Sequence, residues 1–130
     1  MDVLLDTHTW IWTLTDDPRL TPQAWAAIHE ASAVRVSPIT FFEIGQMVRN
    51  EAWPEIIPHL DTLPEQLREQ GGVSAPLTQE VALAASLMDW DHLDPFDRTL
   101  AATAIIQNAT LISGDPVFYT LEDTRLRQIW

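Results

Sequence analysis

His92-Leu93-Asp94-Pro95-Phe96-Asp97-Arg98 is the stretch from which the rest of the chain is read. With Pro95 as the first helical residue, Asp94 falls at the N-cap and Asp97 at the third helical position, so both carboxylates leave the same helix end. The helix continues through Thr99 to Gln107, with Leu100, Ala101, Ala104 and Ile105 at the spacing of a buried stripe. Asp97 lies one turn before Leu100 and Ala101, at the edge of that stripe. A carboxylate there needs a positive partner. The stretch therefore predicts that other groups converge on this helix end.

Just after this helix, Thr110-Leu111-Ile112-Ser113 reads as a core strand closed by Gly114-Asp115-Pro116. The same pattern opens the chain, where Val3-Leu4-Leu5 is wholly apolar and is closed by Asp6. Apolar runs without alternation are strands buried on both faces of a parallel sheet. Open α/β sheets gather ligands at the carboxyl ends of their strands, where Asp6 and Asp115 fall. Ala33 to Ser37 is another strand, stopped by Pro38. Thr40 and Glu43 match a capping box, which gives Glu43 a purely structural alternative. Glu43 also borders the inward stripe of Ile44, Met47 and Val48, which places it near a strand end and facing inward.

Helices are predicted over Thr7 to Leu14, from the Thr21-Pro22 start to about Ala31, from Pro64 to Gln70, from the Thr78 cap to about Met88, and briefly over Val117 to Leu121. Val73 to Leu77 reads as a short edge strand, because Pro76 suits an edge, and Arg127 to Trp130 as a last strand. Strands alternating with helices predict an α/β fold, a parallel sheet with helices on both faces, in a single domain over residues 1–130.

With 130 residues, 46% of them hydrophobic, the chain buries roughly two-thirds of its unfolded surface. No cysteine is present, which excludes disulfides and thiolate metal sites. No apolar run approaches a membrane span, and the amino-terminal residues lack a basic leader, so a cytoplasmic protein with no membrane segment is expected. Nineteen acids face seven basic residues, all arginine, for a net charge of −12. That field repels polyanions and disfavours generic coating of nucleic acid.

Two of the acids follow strands and two begin helices, so Asp6, Glu43, Asp97 and Asp115 can share one face of one sheet. Four carboxylates that close are not all ionised without compensation. Hard divalent cations, Mg²⁺ or Mn²⁺, take such oxygen ligands together with substrate phosphate oxygens, and suit in-line phosphodiester hydrolysis.

The segments LLDTHTWIW (4–12), SPITFFEI (37–44), HLDPFDRTLAATA (92–104) and LISGDPVF (111–118) together resemble the PIN-domain family, and within it the VapC-like toxin branch, over essentially the whole chain. The resemblance implies a three-layer α/β/α fold, Mg²⁺- or Mn²⁺-dependent endoribonuclease activity on RNA, inhibition by a cognate VapB-like antitoxin, and a homodimer. Carried over by position, it makes Asp6, Glu43, Asp97 and Asp115 the metal and catalytic residues. Asp94 is a second-tier metal candidate or a helix cap, and Ser113 a group that holds a carboxylate or a water.

The chain departs from the pattern at Met47, where relatives often carry lysine, and it has no lysine at all. RNA contacts are therefore expected from Arg98 and Arg49, with a structural ion pair as the equal alternative for Arg98. The six tryptophans read as core or interface rather than as a stacking stripe, with Trp10, Trp12 and Trp53 as possible partner anchors. His8 is expected to pack or bond locally, and His92 to position the loop before Asp94. Two rival functions remain: a metal nuclease acting on single-stranded DNA, and a non-catalytic scaffold with a degenerate site, which the missing lysines favour.

Overall fold

Val3, Leu4 and Leu5 have no polar neighbour to turn toward water, and strand β1 (Asp2–Leu5) lies in the middle of the sheet. The computed structural model describes residues 1–130. β1 pairs in parallel with β2 (Ala33–Val36) on one side and with β4 (Thr110–Ile112) on the other. β3 (Val73–Ser74) flanks β2 and β5 (Gln128–Ile129) flanks β4, giving five parallel strands in the order β3-β2-β1-β4-β5. The chain steps outward from β1 to β3 and then returns to β4 on the other side of β1. This reversal opens a crevice at the carboxyl ends of β1 and β4, where α/β sheets take ligands.

Side chains alternate across the sheet, so β1 and β4 feed two cores. Val3, Leu5 and Ile112 face Trp10 and Ile11 of α1 (Thr7–Thr15), Ala24 and Ala27 of α2 (Pro22–Glu30), Ile44 of α3 (Pro38–Arg49) and Leu67 of α4 (Leu63–Glu69). Leu4 and Leu111 face Leu100, Ala101 and Ala104 of α6 (Pro95–Ile106). Val81 and Ala85 of α5 (Gln79–Leu87) pack on Ala102 of α6. Helices thus cover both faces of the sheet. No helix is long and apolar enough to cross a membrane.

Helix starts follow one rule: Pro22, Pro38 and Pro95 each occupy the first turn behind a capping Thr21, Ser37 or Asp94. At α3 this overturns the expected capping box. Ser37 is the cap, its hydroxyl accepting from the Ile39 N–H at 3.1 Å, and Thr40 lies buried inside the first turn. Pro38 fixes the helical φ one residue after Ser37, so the helix begins before Thr40 and Glu43 falls in its second turn, clear of the cap.

Three further expectations change. Val73 to Leu77 keeps only two strand residues. The segment after Asp115 is a 3₁₀ turn over Pro116–Thr120 rather than an α-helix. Trp10 is fully buried, with its indole N–H donating to Gln70 Oε1 at 2.9 Å, so it is a core residue and anchors no partner.

Candidate active site

Three of the acids, Asp6, Asp94 and Asp115, are placed by the backbone they cap, and Glu43 and Asp97 by the helices that carry them. Asp6 leaves β1 and caps α1, Oδ1 accepting from the Thr9 N–H at 2.8 Å. Its Oδ2 accepts from the hydroxyl of Ser113, which directly follows β4 and is fully buried. Ser113 Oγ in turn accepts the Asp115 N–H at 3.1 Å, and Asp115 Oδ1 caps the 3₁₀ turn through the Val117 N–H at 2.9 Å. Asp94 caps α6, its Oδ1 taking the N–H groups of Phe96 at 2.8 Å and Asp97 at 3.2 Å. Asp97 Oδ2 meets His92 Nε2 at 2.6 Å.

Asp6, Glu43, Asp94, Asp97 and Asp115 all line one cleft of about 680 Å³ at the carboxyl ends of β1 and β4. Burial pushes the Glu43 carboxyl up from its ordinary range; the Thr7 hydroxyl opposes the shift, and the charges of Asp97, Asp94 and Asp6 reinforce it. Burial likewise raises Asp97, held back by the His92 hydrogen bond and reinforced by Asp94 and Asp115. Each of the two acids feels at least two others as like charge, which is the signature of carboxylates brought within a shared field.

The arginines do not relieve that field. Arg98 is 8% exposed, and all five of its N–H donors go to main-chain carbonyls: Nε to Ala85, one terminal nitrogen to Trp90 and His92, the other to Ser86 and Met88. It ties the end of α5 and the loop over residues 88–92 to α6. The expected RNA contact at Arg98 is therefore corrected, and so is the ion pair, since no donor is left for phosphate or carboxylate. Arg49 lies exposed in the last turn of α3 and does not line the cleft. Arg19 does line it, but its guanidinium is bound to Asp17 through Nε at 3.0 Å and a terminal nitrogen at 2.8 Å.

Glu43 and Asp97 carry carboxyls with raised proton affinity, Asp6 and Asp115 add carboxylate oxygens to the same cleft, and such an oxygen set with no free guanidinium fits a hard divalent cation. At the α6 end of the cleft, one potential ligand atom each from His92, Asp94 and Asp97 lies within 4.8 Å of the others.

Residues 3–123 match the family model of the PIN domain. The chain belongs to the PIN-domain family. This PIN domain is 30% identical over 131 residues to ribonuclease VapC22 of Mycobacterium tuberculosis, an alignment that covers 98% of each chain. Its fold is similar to that in the crystal structure of VapBC2 from Rickettsia felis bound to a promoter DNA fragment, with a TM-score of 0.70 and 14% identity over 100% of this chain and 99% of the other. It is similar also to the crystal structure of FitAcB from Neisseria gonorrhoeae, with a TM-score of 0.64 and 19% identity over 100% and 97% of the two chains.

Two features of this PIN domain lie outside the roles read from sequence. His92 holds a cleft carboxylate, although nothing in its spacing from Asp97 announces the contact. An aromatic rim also flanks the acids, which corrects the reading of the tryptophans as scattered. His8 stacks on Trp53 at 5.0 Å and 24°, and lies 5.7 Å from Trp12; Trp12 lies 5.7 Å from Trp130. The Arg19 guanidinium carbon sits 4.6 Å from the centre of the Trp12 ring. Trp130 presses on Gly114 so closely that a Cβ there would meet its indole at 2.7 Å. Only the four-residue step from His8 to Trp12 on one helix face was visible locally.

Proposed function

We propose that this PIN domain, residues 1–130 acting as one unit, is a Mg²⁺- or Mn²⁺-dependent endoribonuclease. It works inside the cell as the toxin of a toxin–antitoxin pair. The observation that carries the reading is the single cleft lined by Asp6, Glu43, Asp97 and Asp115 at the strand-order reversal. The relationship to ribonuclease VapC22 supports it. Structural relatives include a toxin–antitoxin complex from Klebsiella pneumoniae, with a TM-score of 0.57 and 19% identity over 96% of this chain and 98% of the other.

Asp6, Glu43, Asp97 and Asp115 would hold the divalent ion, with Asp94 fixing the helix end from which Asp97 projects. When bound, the ion supplies positive charge against the scissile phosphate and makes water a competent nucleophile at neutral pH. Ser113 keeps Asp6 turned into the cleft, and His92 holds the rotamer of Asp97. Burial makes the Glu43 and Asp97 carboxyls hold protons more tightly than usual, so affinity for a divalent ion at this site would weaken as pH falls. Net hydrolysis adds the oxygen of water to phosphorus and breaks the bond to the 3′ oxygen. The product ends are a 5′-phosphate and a 3′-hydroxyl.

The partners are an RNA substrate, a VapB-like antitoxin and a second copy of the chain. Exposed Leu83 and Leu87 on α5 and Leu93 after it offer apolar area for a homodimer. Arg49 is free to meet the RNA backbone beyond the cleft.

The test is cleavage of a mixed pool of structured RNAs in Mn²⁺, in Mg²⁺ and in chelator, beside the Asp97→Asn variant. Metal-dependent cutting that the variant lacks is expected. Cutting at the same rate by the variant would sink the site assignment, and cutting only of matched single-stranded DNA would replace RNA as the substrate. Absence of both cutting and metal binding would leave the scaffold reading.

A further inference from the structure

Beside the acidic cleft lies a second hollow of about 360 Å³, walled by Trp12, Trp53, Ile56 and Arg19. Trp12 and Arg19 line both spaces, so one wall separates them. His8 lies on the cleft side, stacked on Trp53. We propose that this hollow takes one unpaired nucleobase of the RNA strand whose phosphate enters the cleft. The inference rests on the nuclease reading and names the form of substrate it requires, a strand with a base free of pairing beside the scissile bond.

Three observations favour a base over a peptide. The lining sets two indoles and a guanidinium, which stack on any nucleobase regardless of sequence, beside the acids Asp17 and Glu55, whose oxygens accept from N–H groups such as those a base carries. The chain carries a net charge of −12, and Arg19 is neutralised by Asp17, so coulombic attraction cannot hold a polyanion here. Beyond what a divalent ion in the cleft and Arg49 supply, affinity for RNA beside the cleft comes from uncharged contacts, and this is the aromatic surface continuous with the cleft. The rim is also assembled from separate elements: His8 and Trp12 from α1, Trp53 from the loop after α3, and Trp130 from the carboxyl terminus. Packing the core alone does not require the imidazole of an exposed His8 to lie parallel to an indole.

The experiment measures binding of a short labelled single-stranded RNA, in Mn²⁺, to protein carrying Asp97→Asn so that no cutting intervenes. A matched set of strands has one abasic nucleotide moved along its length. One abasic position should weaken binding roughly tenfold, the loss of one stacked base. Trp53→Ala should weaken binding of intact RNA by a similar factor and erase the abasic effect, and Trp53→Phe should restore both. His8→Ala, at an exposed position that leaves folding intact, should act in the same direction by several-fold. Equal binding of all abasic strands would overturn the proposal. Unchanged RNA binding by both alanine variants would also overturn it, and would leave the rim to a protein partner. Cleavage by the chain with Asp97 intact is scored in parallel. Abasic sensitivity without cleavage sinks the nuclease reading alone; cleavage without abasic sensitivity sinks this one alone.

Discussion

The Ser113 hydroxyl donates to Asp6 Oδ2, joining the residue that follows β4 to the residue that follows β1. Ser113 Oγ also accepts the Asp115 N–H at 3.1 Å, so one buried side chain sets two acids of the cleft. Ser113→Ala removes a hydrogen bond from a fully buried hydroxyl to a carboxylate. The expected cost is about 1.5–3 kcal/mol of stability at neutral pH, with metal affinity reduced roughly 10- to 100-fold. Denaturant titration and calorimetric titration with Mn²⁺ check the two effects. A variant with parent metal affinity would show that Asp6 needs no orienting partner.

Neutralising one acid should stabilise the metal-free protein. Burial raises the carboxyls of Glu43 and Asp97 above their unfolded values, so the folded state favours the protonated forms. The stabilisation is complete below the unfolded pKa and is lost as pH rises through the folded one. At pH 7 both charges therefore oppose folding. Glu43→Gln and Asp97→Asn should each raise the Tm in chelator by a few degrees at pH 7, and the gain should shrink as pH falls through the folded carboxyl range and vanish below the unfolded one. A Tm that falls at pH 7 would mean these carboxylates are held by cations of the protein.

Divalent cations should reverse that order. Mn²⁺ binds the folded state, so the parent Tm should climb with metal concentration, by an amount set by concentration over Kd. The neutralised variants should respond weakly. Differential scanning calorimetry across a Mn²⁺ series decides it, and identical slopes for parent and Asp97→Asn would remove Asp97 from the ligand set.

His92 acts on Asp97 at 2.6 Å, and its hydrogen bond lowers a carboxyl that burial raises. His92→Ala takes away the lowering influence and leaves the burial. The acid limb of Mn²⁺ binding should then move to higher pH, with affinity at high pH much less affected. A limb that stays in place would assign His92 to the loop alone.

Arg98 is the structural counterpart of the acids. Its five donors serve five main-chain carbonyls on the segment over residues 85–92. An ammonium has three donors and a different shape. Arg98→Lys should cost about 3 kcal/mol in urea unfolding, at the high end for a point substitution, and should loosen hydrogen-exchange protection in α5 before the rest of the sheet. Loss of RNA affinity with stability unchanged would restore Arg98 to the substrate surface.

The sequence by itself determined the strands β1, β2 and β4, their acids, and the start of α6. In each case the signal is local. At β1 and β4 a short unbroken apolar run is closed at once by turn residues and an acid, which bounds it to strand length; at β2 the β-branched Val34 and Val36 are stopped by Pro38; and Asp94-Pro95 has its cap geometry written into two residues. These elements carried the α/β class, and the spacing of the motifs carried the family. The tertiary structure decided where the remaining side chains meet. Glu43 had a helix cap as its structural alternative until Ser37 took that role one residue before Pro38. Arg98 sits beside Asp97 in sequence yet points across α6 to the carbonyls after α5. His8, Trp12, Trp53 and Trp130 come from separate parts of the chain, and only closure of the fold makes them one rim. Periodicity reports which face of an element is buried. It carries no information about which distant element covers that face, because that depends on sheet order and loop path, which chain-local propensities do not encode.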